Sequence, residues 1–117
     1  WMKKMSRDSL EEIVFFLDHQ FIEDDTILFR AGDYVDKLFF VASGEIEILV
    51  SLEEADISME ICKEGCAIGL HGIVTNRFHH LTAKTKSKAS LYILRKDVLK
   101  HLINQREDIY NEIEKAK

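Results

Sequence analysis

The stretch Leu38 to Val50, LFFVASGEIEILV, limits what this chain can fold into more than any other. Leu38 to Ala42 is a short unbroken apolar run, the pattern of a strand covered on both faces. Ser43-Gly44 breaks it. Glu45 to Val50 then alternates, with Ile46, Ile48 and Val50 on one face and Glu45, Glu47 and Leu49 on the other. A slip of one residue would turn two carboxylates into the core, so the register is well specified. Upstream, Thr26 to Phe29 is β-branched and aromatic and predicts another strand. The Ala31-Gly32-Asp33 turn closes it.

The remaining segments extend or cover this meander. Ser9 to Glu12 has the form of a capping box. Leu10, Ile13, Val14 and Leu17 follow at helical spacing, predicting a helix from Leu10 to Asp18. Phe21-Ile22 enters the sheet. Ile57, Met59 and Ile61 alternate with Ser58, Glu60 and Cys62 and predict a strand. Ala67 to Asn76 reads as a loop with at most one helical turn, and strands are expected at Arg77 to Lys84 and Ala89 to Leu94. From Lys96 the period is helical: Leu99, Leu102, Ile103, Arg106, Ile109 and Ile113 form a stripe. Glu107-Asp108 marks the start of a second helix. The expected fold is mainly β, a jelly-roll β-roll of about eight strands. One N-terminal and one or two C-terminal helices flank it.

A chain of 117 residues argues for one domain, expected over 6–117 with Trp1 to Met5 as a frayed end. No apolar run approaches the roughly 18 residues of a membrane helix. Lys3 and Lys4 lead into polar residues, so no secretory signal is expected. Cys62 and Cys66 read as reduced structural thiols rather than a disulfide or zinc site. Charge is uneven. Asp8 to Glu64 carries 16 acidic residues against Arg30, Lys37 and Lys63, whereas Lys84 to Arg106 carries seven basic residues against Asp97 alone. The favoured reading is two solvated faces that attract each other within the fold, ahead of a partner surface. Nucleic-acid binding is not expected, because the basic segment holds a single aromatic, Tyr92, and the rest of the chain repels phosphate.

Gly32, Gly44, Gly65 and Gly69 sit at punctuation, in AGD, SGE, KEG and IGL. With LFFVASGEIEIL and the tail SLYILRKDVLKHL, they make the chain resemble the cyclic-nucleotide-binding domain family from about Leu10 to Ile113. AGDYVDKLFFVASGEIEIL looks most like the homology domain of voltage-gated channels of the ether-à-go-go, HCN and CNG type. The resemblance implies that a loop with a short helix binds the cyclic phosphate and ribose. The family pattern there is Gly-Glu, a small residue, and later Arg followed by Ser or Thr and Ala. The Glu accepts from the ribose hydroxyl and the Arg pairs with the phosphate. Gly69 fits, but Leu70 stands at the Glu position. His71 or Gly72 takes the small position, followed by Ile73. His79-His80-Leu81, then Thr82, falls where Arg-Thr-Ala is expected, with Arg77 two residues early.

The expected function is therefore a non-enzymatic regulatory module with a degenerate cassette at Gly69 to Ile73, Arg77 and His79 to Thr82. It would bind cAMP or cGMP weakly or not at all and need no other cofactor. The partners implied are that nucleotide and the rest of a larger, channel-type polypeptide at the cytoplasmic face of a membrane, with a homo-oligomer formed through it. Three alternatives stay open: a genuine cyclic-nucleotide sensor with non-standard contacts, a pure assembly module, and a cupin-like metal-binding roll using His71, His79 and His80. The last is disfavoured because adjacent His79 and His80 would face opposite sides of a strand. His19 and His101 read as solvated residues on helix surfaces. No DNA-reading helix-turn-helix is evident, which disfavours a transcription factor.

Overall fold

The computed structural model describes residues 6–69, 72–73 and 77–115. The expected frayed end, Trp1 to Met5, lies outside them, as do Leu70, His71, part of the 67–76 loop and the Ile113 side chain. Helix α1 (Arg7–Phe16) leads into β1 (Asp18–Ile22) and β2 (Ile27–Phe29). Then come β3 (Lys37–Ser43), β4 (Ile46–Ser51), β5 (Asp56–Cys62) and the two-residue β6 (Ala67–Ile68). β7 (Thr82–Thr85) and β8 (Ala89–Arg95) are followed by α2 (Lys96–Gln105) and α3 (Glu107–Lys115). The strands form two antiparallel four-stranded sheets, ordered β1-β8-β3-β6 and β2-β7-β4-β5. This is the mainly β roll with flanking helices that the pattern predicts.

β3 and β8 explain the unbroken apolar run. They pair with Leu38 opposite Leu94, Phe39 opposite Ile93 and Val41 opposite Leu91. Leu38 and Leu94 face the helices, in a core with Ile13, Val35, Ile73, Leu99, Leu102 and Ile109. Phe39, Val41 and Leu91 face the other sheet, in a second core with Ile46, Ile48, Ile68 and Ala83. Gly44 makes the β3–β4 turn at φ +88°, and a Cβ there would lie 2.5 Å from the Lys88 carbonyl oxygen. Only glycine meets both demands.

Several expectations are corrected. The helix cap is Ser6, three residues before the predicted one; its hydroxyl accepts from the Ser9 amide at 3.2 Å. Ser9 is instead buried in the first turn and donates to Asp108 Oδ1 at 2.7 Å. Strict alternation in β4 fails at a bulge between Ile48 and Leu49, which buries Leu49 and leaves Val50 half-buried. β5 is an edge strand whose apolar residues point outward: Ile57 and Met59 are exposed, while Cys62 is buried. The predicted Arg77 to Lys84 strand is split. Only Thr82–Thr85 joins the sheet, and Phe78 makes an isolated bridge to Tyr34. His19 lies on β1 rather than a helix and stacks on Tyr92.

Three of the seven basic residues in the basic segment pair with the acidic one. Lys84 reaches Asp25 at 2.8 Å, Lys88 reaches Glu23 at 3.9 Å, and Arg106 pairs with Glu12. Each exposed pair contributes at most about 1 kcal/mol. The break expected near Glu107 occurs at Arg106, and α3 folds back so that Ile109 is fully buried. Asp108 fixes that return. Its carboxylate accepts from the Ser6 amide and the Ser9 hydroxyl, both at 2.7 Å, and these bonds pull its pKa down to about 2. Because the folded pKa lies below the unfolded value of 3.8, this stabilisation is complete above pH 3.8 and is lost as pH falls towards 2. Asp108→Asn should lower unfolding stability by about 1 kcal/mol at neutral pH and flatten the acid limb of the stability curve. Urea melts across that range check both; an unchanged acid limb would show that Asp108 does not hold the clasp.

Candidate functional site

A cavity of about 370 Å³ opens between the β2-β7-β4-β5 sheet and the segments that follow β6 and precede β7. That size lies within the range of small-molecule sites. Phe29, Ile48 and Cys62 supply sheet residues, Glu60 a carboxylate, and Gly69, Gly72 and Arg77 to Leu81 the loop side. Of the residues marked by the sequence, Gly69, Gly72, Arg77, His79, His80 and Leu81 come together here. Ile73 and Thr82 stand behind the cavity. Ile73 is buried in the helix-side core, and Thr82 Oγ1 accepts from the Ala31 amide at 3.1 Å. Leu70 and His71 lie outside the described residues.

The loop is built by backbone hydrogen bonds. The Ile73 amide donates to the Gly69 carbonyl at 3.0 Å, and the Arg77 amide to the Gly72 carbonyl at 2.9 Å. Gly69 holds φ +101° with the Lys37 carbonyl 2.8 Å from where a Cβ would be, so no other residue fits this corner. Gly72 packs directly on Val35. Beyond the turn, the Val35 amide donates to the Arg77 carbonyl, the Gly32 amide to the His79 carbonyl, and the His79 amide to the Asp33 carbonyl. The 32–35 segment thus shapes the wall on which Arg77 and His79 stand. An ordered wall of this kind is not visible in a strand-period reading of Arg77 to Lys84.

His79 is the half-buried member of the histidine pair, and His80 is exposed. The His79 ring stacks on Phe29, with centroids 3.5 Å apart and planes at 12°. Burial lowers its pKa from the usual 6.5, against the attraction of the Asp33 and Asp36 carboxylates, so it is neutral at pH 7. Arg77 is exposed, lines the cavity, and makes no ion pair among the described residues. Cys62 and Cys66 are free thiols on the wall opposite. Burial, and then the hydrogen bond to Cys66, push the Cys62 thiol up to about 12, which makes it inert. Phe29, Val35, Glu60 and the cysteines were not singled out by sequence for this cavity. Phe29 reads only as a strand residue, and nothing local announces its stack on His79. Among the described residues no group of three or more metal-ligating side chains converges, and His71, one of the three histidines of the cupin alternative, lies outside them. No helix among them is long and apolar enough to cross a membrane.

No curated protein matches the sequence. Solved structures do. The Thermus thermophilus catabolite activator protein aligns with a TM-score of 0.84 at 14% identity, over 98% of this chain and 55% of that one. The chain thus spans about half the length of that relative. The regulatory domain of Toxoplasma gondii PKA, solved with cAMP, aligns with a TM-score of 0.80 at 22% identity, over 85% of this chain and 38% of that one. The C-linker/CNBHD of zELK channels, crystallised in the presence of cAMP, aligns with a TM-score of 0.82 at 18% identity, over 95% and 56%. These likenesses show a shared fold across proteins of different use. The sequence pattern of the cyclic nucleotide-binding domain matches residues 19–106, three quarters of the length, and with the cavity standing on the loop before β7 this chain belongs to the cyclic nucleotide-binding domain family.

Proposed function

We propose that this chain is a regulatory cyclic nucleotide-binding-like module whose phosphate and ribose cassette is degenerate. It binds cAMP or cGMP weakly and passes the state of its cavity to the C-terminal helices. The observation that carries this reading is the charge of the cavity. Leu70 replaces the carboxylate that the resemblance assigns to the ribose. His79 is neutral at pH 7 and engaged with Phe29, and Glu60 adds a negative charge to a site meant for an anion. A charge-assisted hydrogen bond is worth roughly 1.5–3 kcal/mol. Losing the ribose partner and a buried guanidinium fork therefore moves micromolar binding to about millimolar.

The link to the helices rests on packing. Gly69 and Gly72 line the cavity, and Ile73 sits 3% exposed among Leu99 and Leu102 of α2 and Ile109 of α3. A ligand that moves this turn must move Ile73, so the helices are the element with two arrangements. We place the module at the cytoplasmic face of a cation channel, which rests on the resemblance of AGDYVDKLFFVASGEIEIL. Fractionation of the full-length protein tests this; recovery outside the membrane fraction would refute it.

A second reading is favoured by one observation: Arg77 lines the same cavity without an ion-pair partner among the described residues. In that case the chain is a genuine sensor whose phosphate cation is Arg77. Titration calorimetry separates the two. A dissociation constant weaker than about 10 μM is expected for both nucleotides. Leu70→Glu should tighten it about tenfold. Sub-micromolar binding abolished by Arg77→Gln would establish the sensor instead.

His79 gives the weak binding a pH dependence. Because burial lowers its pKa, the ring is still neutral at the usual value of 6.5 and gains a proton, and with it attraction for phosphate, only as pH falls towards the lowered pKa. The same proton opposes burial, so the stability contributed by the neutral ring is present above pH 6.5 and is lost as pH falls towards the lowered pKa. Nucleotide affinity should be flat from about pH 8 to 7 and rise below the usual value, while the melting temperature falls. His79→Gln should abolish both trends. Calorimetry and thermal melts across this range check them, and an affinity that rises unchanged in His79→Gln would show that His79 is not the responding group.

A further inference from the structure

A second cleft, of about 320 Å³, lies between the 34–37 segment and the first turn of α2. Lys37, Arg95, Lys96 and Lys100 line it, with Asp36, Asp97 and Tyr34. We propose that this cleft binds a phosphate-bearing anion, at a site separate from the cavity that holds Arg77 and His79.

Three arrangements in it oppose ordinary electrostatic preference. Lys37 and Arg95 stand directly opposite each other on the antiparallel β3–β8 pair, where like charges repel. Lys96 and Lys100 are one helical turn apart on α2, again a repulsive spacing. Arg95, the N-cap, and Lys96, the first helical residue, lie at the N-terminus of that helix, the end that disfavours cations. Elsewhere opposite charges meet across the strands, as Glu47 does with Lys84. A bound anion in the cleft would relieve the conflicts there together.

The acidic residues do not cancel the field. Asp97 is held by Arg95 at 2.9 Å and caps the Val98 amide. Asp36 is the other carboxylate, which leaves four cations against two acids. Lys37 and Lys100 are exposed and make no ion pair among the described residues. Lys96 is only 7% exposed and donates to the Tyr34 hydroxyl, so the floor is preorganised. A ligand of two or more negative charges, a pyrophosphate or a phosphomonoester, matches this net charge. An occupant would tie the roll, through Lys37, to α2, through Lys100. Tyr34 also meets Phe78 of the nucleotide cavity edge-on, with centroids 5.6 Å apart.

The test is a two-dimensional NMR titration of the chain with inorganic pyrophosphate. Saturable shifts are expected at Lys37, Arg95, Lys96 and Lys100, and these should survive Arg77→Gln. Lys37→Gln with Lys100→Gln should weaken binding at least about tenfold and, without ligand, raise the melting temperature, because repulsion is removed. Both side chains are exposed, so the variant keeps the fold. Shifts that do not saturate, that spread evenly over surface lysines, or that persist unchanged in the double variant would overturn the site. A lower melting temperature in the variant would overturn the charge conflict on which it rests. Co-sedimentation with phosphatidylcholine vesicles, with and without phosphoinositide, identifies the source. Retention that requires phosphoinositide and is lost in the double variant assigns a lipid headgroup; pyrophosphate binding without retention assigns a free phosphate compound.

Discussion

The pairing of β3 with β8 is the constraint on which the rest of the molecule depends. Each strand sends alternate side chains to two different cores, Leu38 and Leu94 towards the helices and Phe39, Val41 and Leu91 towards the second sheet. A one-residue slip would exchange the two sets and spoil both cores together. At roughly 1.5–3 kcal/mol for each large side chain buried, few elements could hold against that loss. The turns inherit their geometry from it. Gly44 must pass under Ala89 at the start of β8, and Gly69 must pass the Lys37 carbonyl at the start of β3.

The cavity sits where this double-sided layer ends. β6 pairs with β3 for only two residues, Ala67 and Ile68, and the chain then leaves the sheet at Gly69. That departure creates the open space, and Ile73 returns the loop to the helix-side core within four residues. One short turn therefore has one side on the cavity and the other on α2 and α3. Coupling between a ligand and the helices needs no longer path than this. In the proposed coupling, close packing around Ile73 would favour a choice between arrangements over a graded response.

How much of this was legible follows from the range of each signal. β3, β4 and β8 were readable because burial on one or both faces writes itself into residues two apart. The helix break near Glu107 was readable for the same local reason. The cap at Ser6 was not, because Ser6 and Ser9 are both competent. The choice was made by Asp108, far along the chain, which draws Ser9 into a buried bond. The Arg77 to Lys84 strand failed similarly: Tyr34 competes for Phe78, so half of the segment pairs with a loop. In β5 the apolar alternation of Ile57 and Met59 marked the exposed face, since an edge strand can carry its buried residue, Cys62, at the end. Site residues fared worst. Gly69, Gly72, Arg77 and His79 were found through a family likeness, whereas Phe29 and Glu60 reach the cavity from strands distant in sequence.

The charges show how the same principle sorts structure from site. The acidic N-terminal half and the basic segment from Lys84 meet in three ion pairs once folded, through Asp25, Glu23 and Glu12. Such pairs add little energy, but they remove repulsion that would otherwise oppose closing the roll. A chain able to place Lys84 opposite Glu47 had the means to place an acid opposite Lys37. It carries Arg95 there instead, and Lys96 one residue on is sunk into the floor. The Tyr34 hydroxyl and ring both contact that ammonium. Like charges set opposite each other on paired strands, beside a cleft lined by four cations and two acids, form an arrangement that a negative charge arriving from outside the chain would relieve.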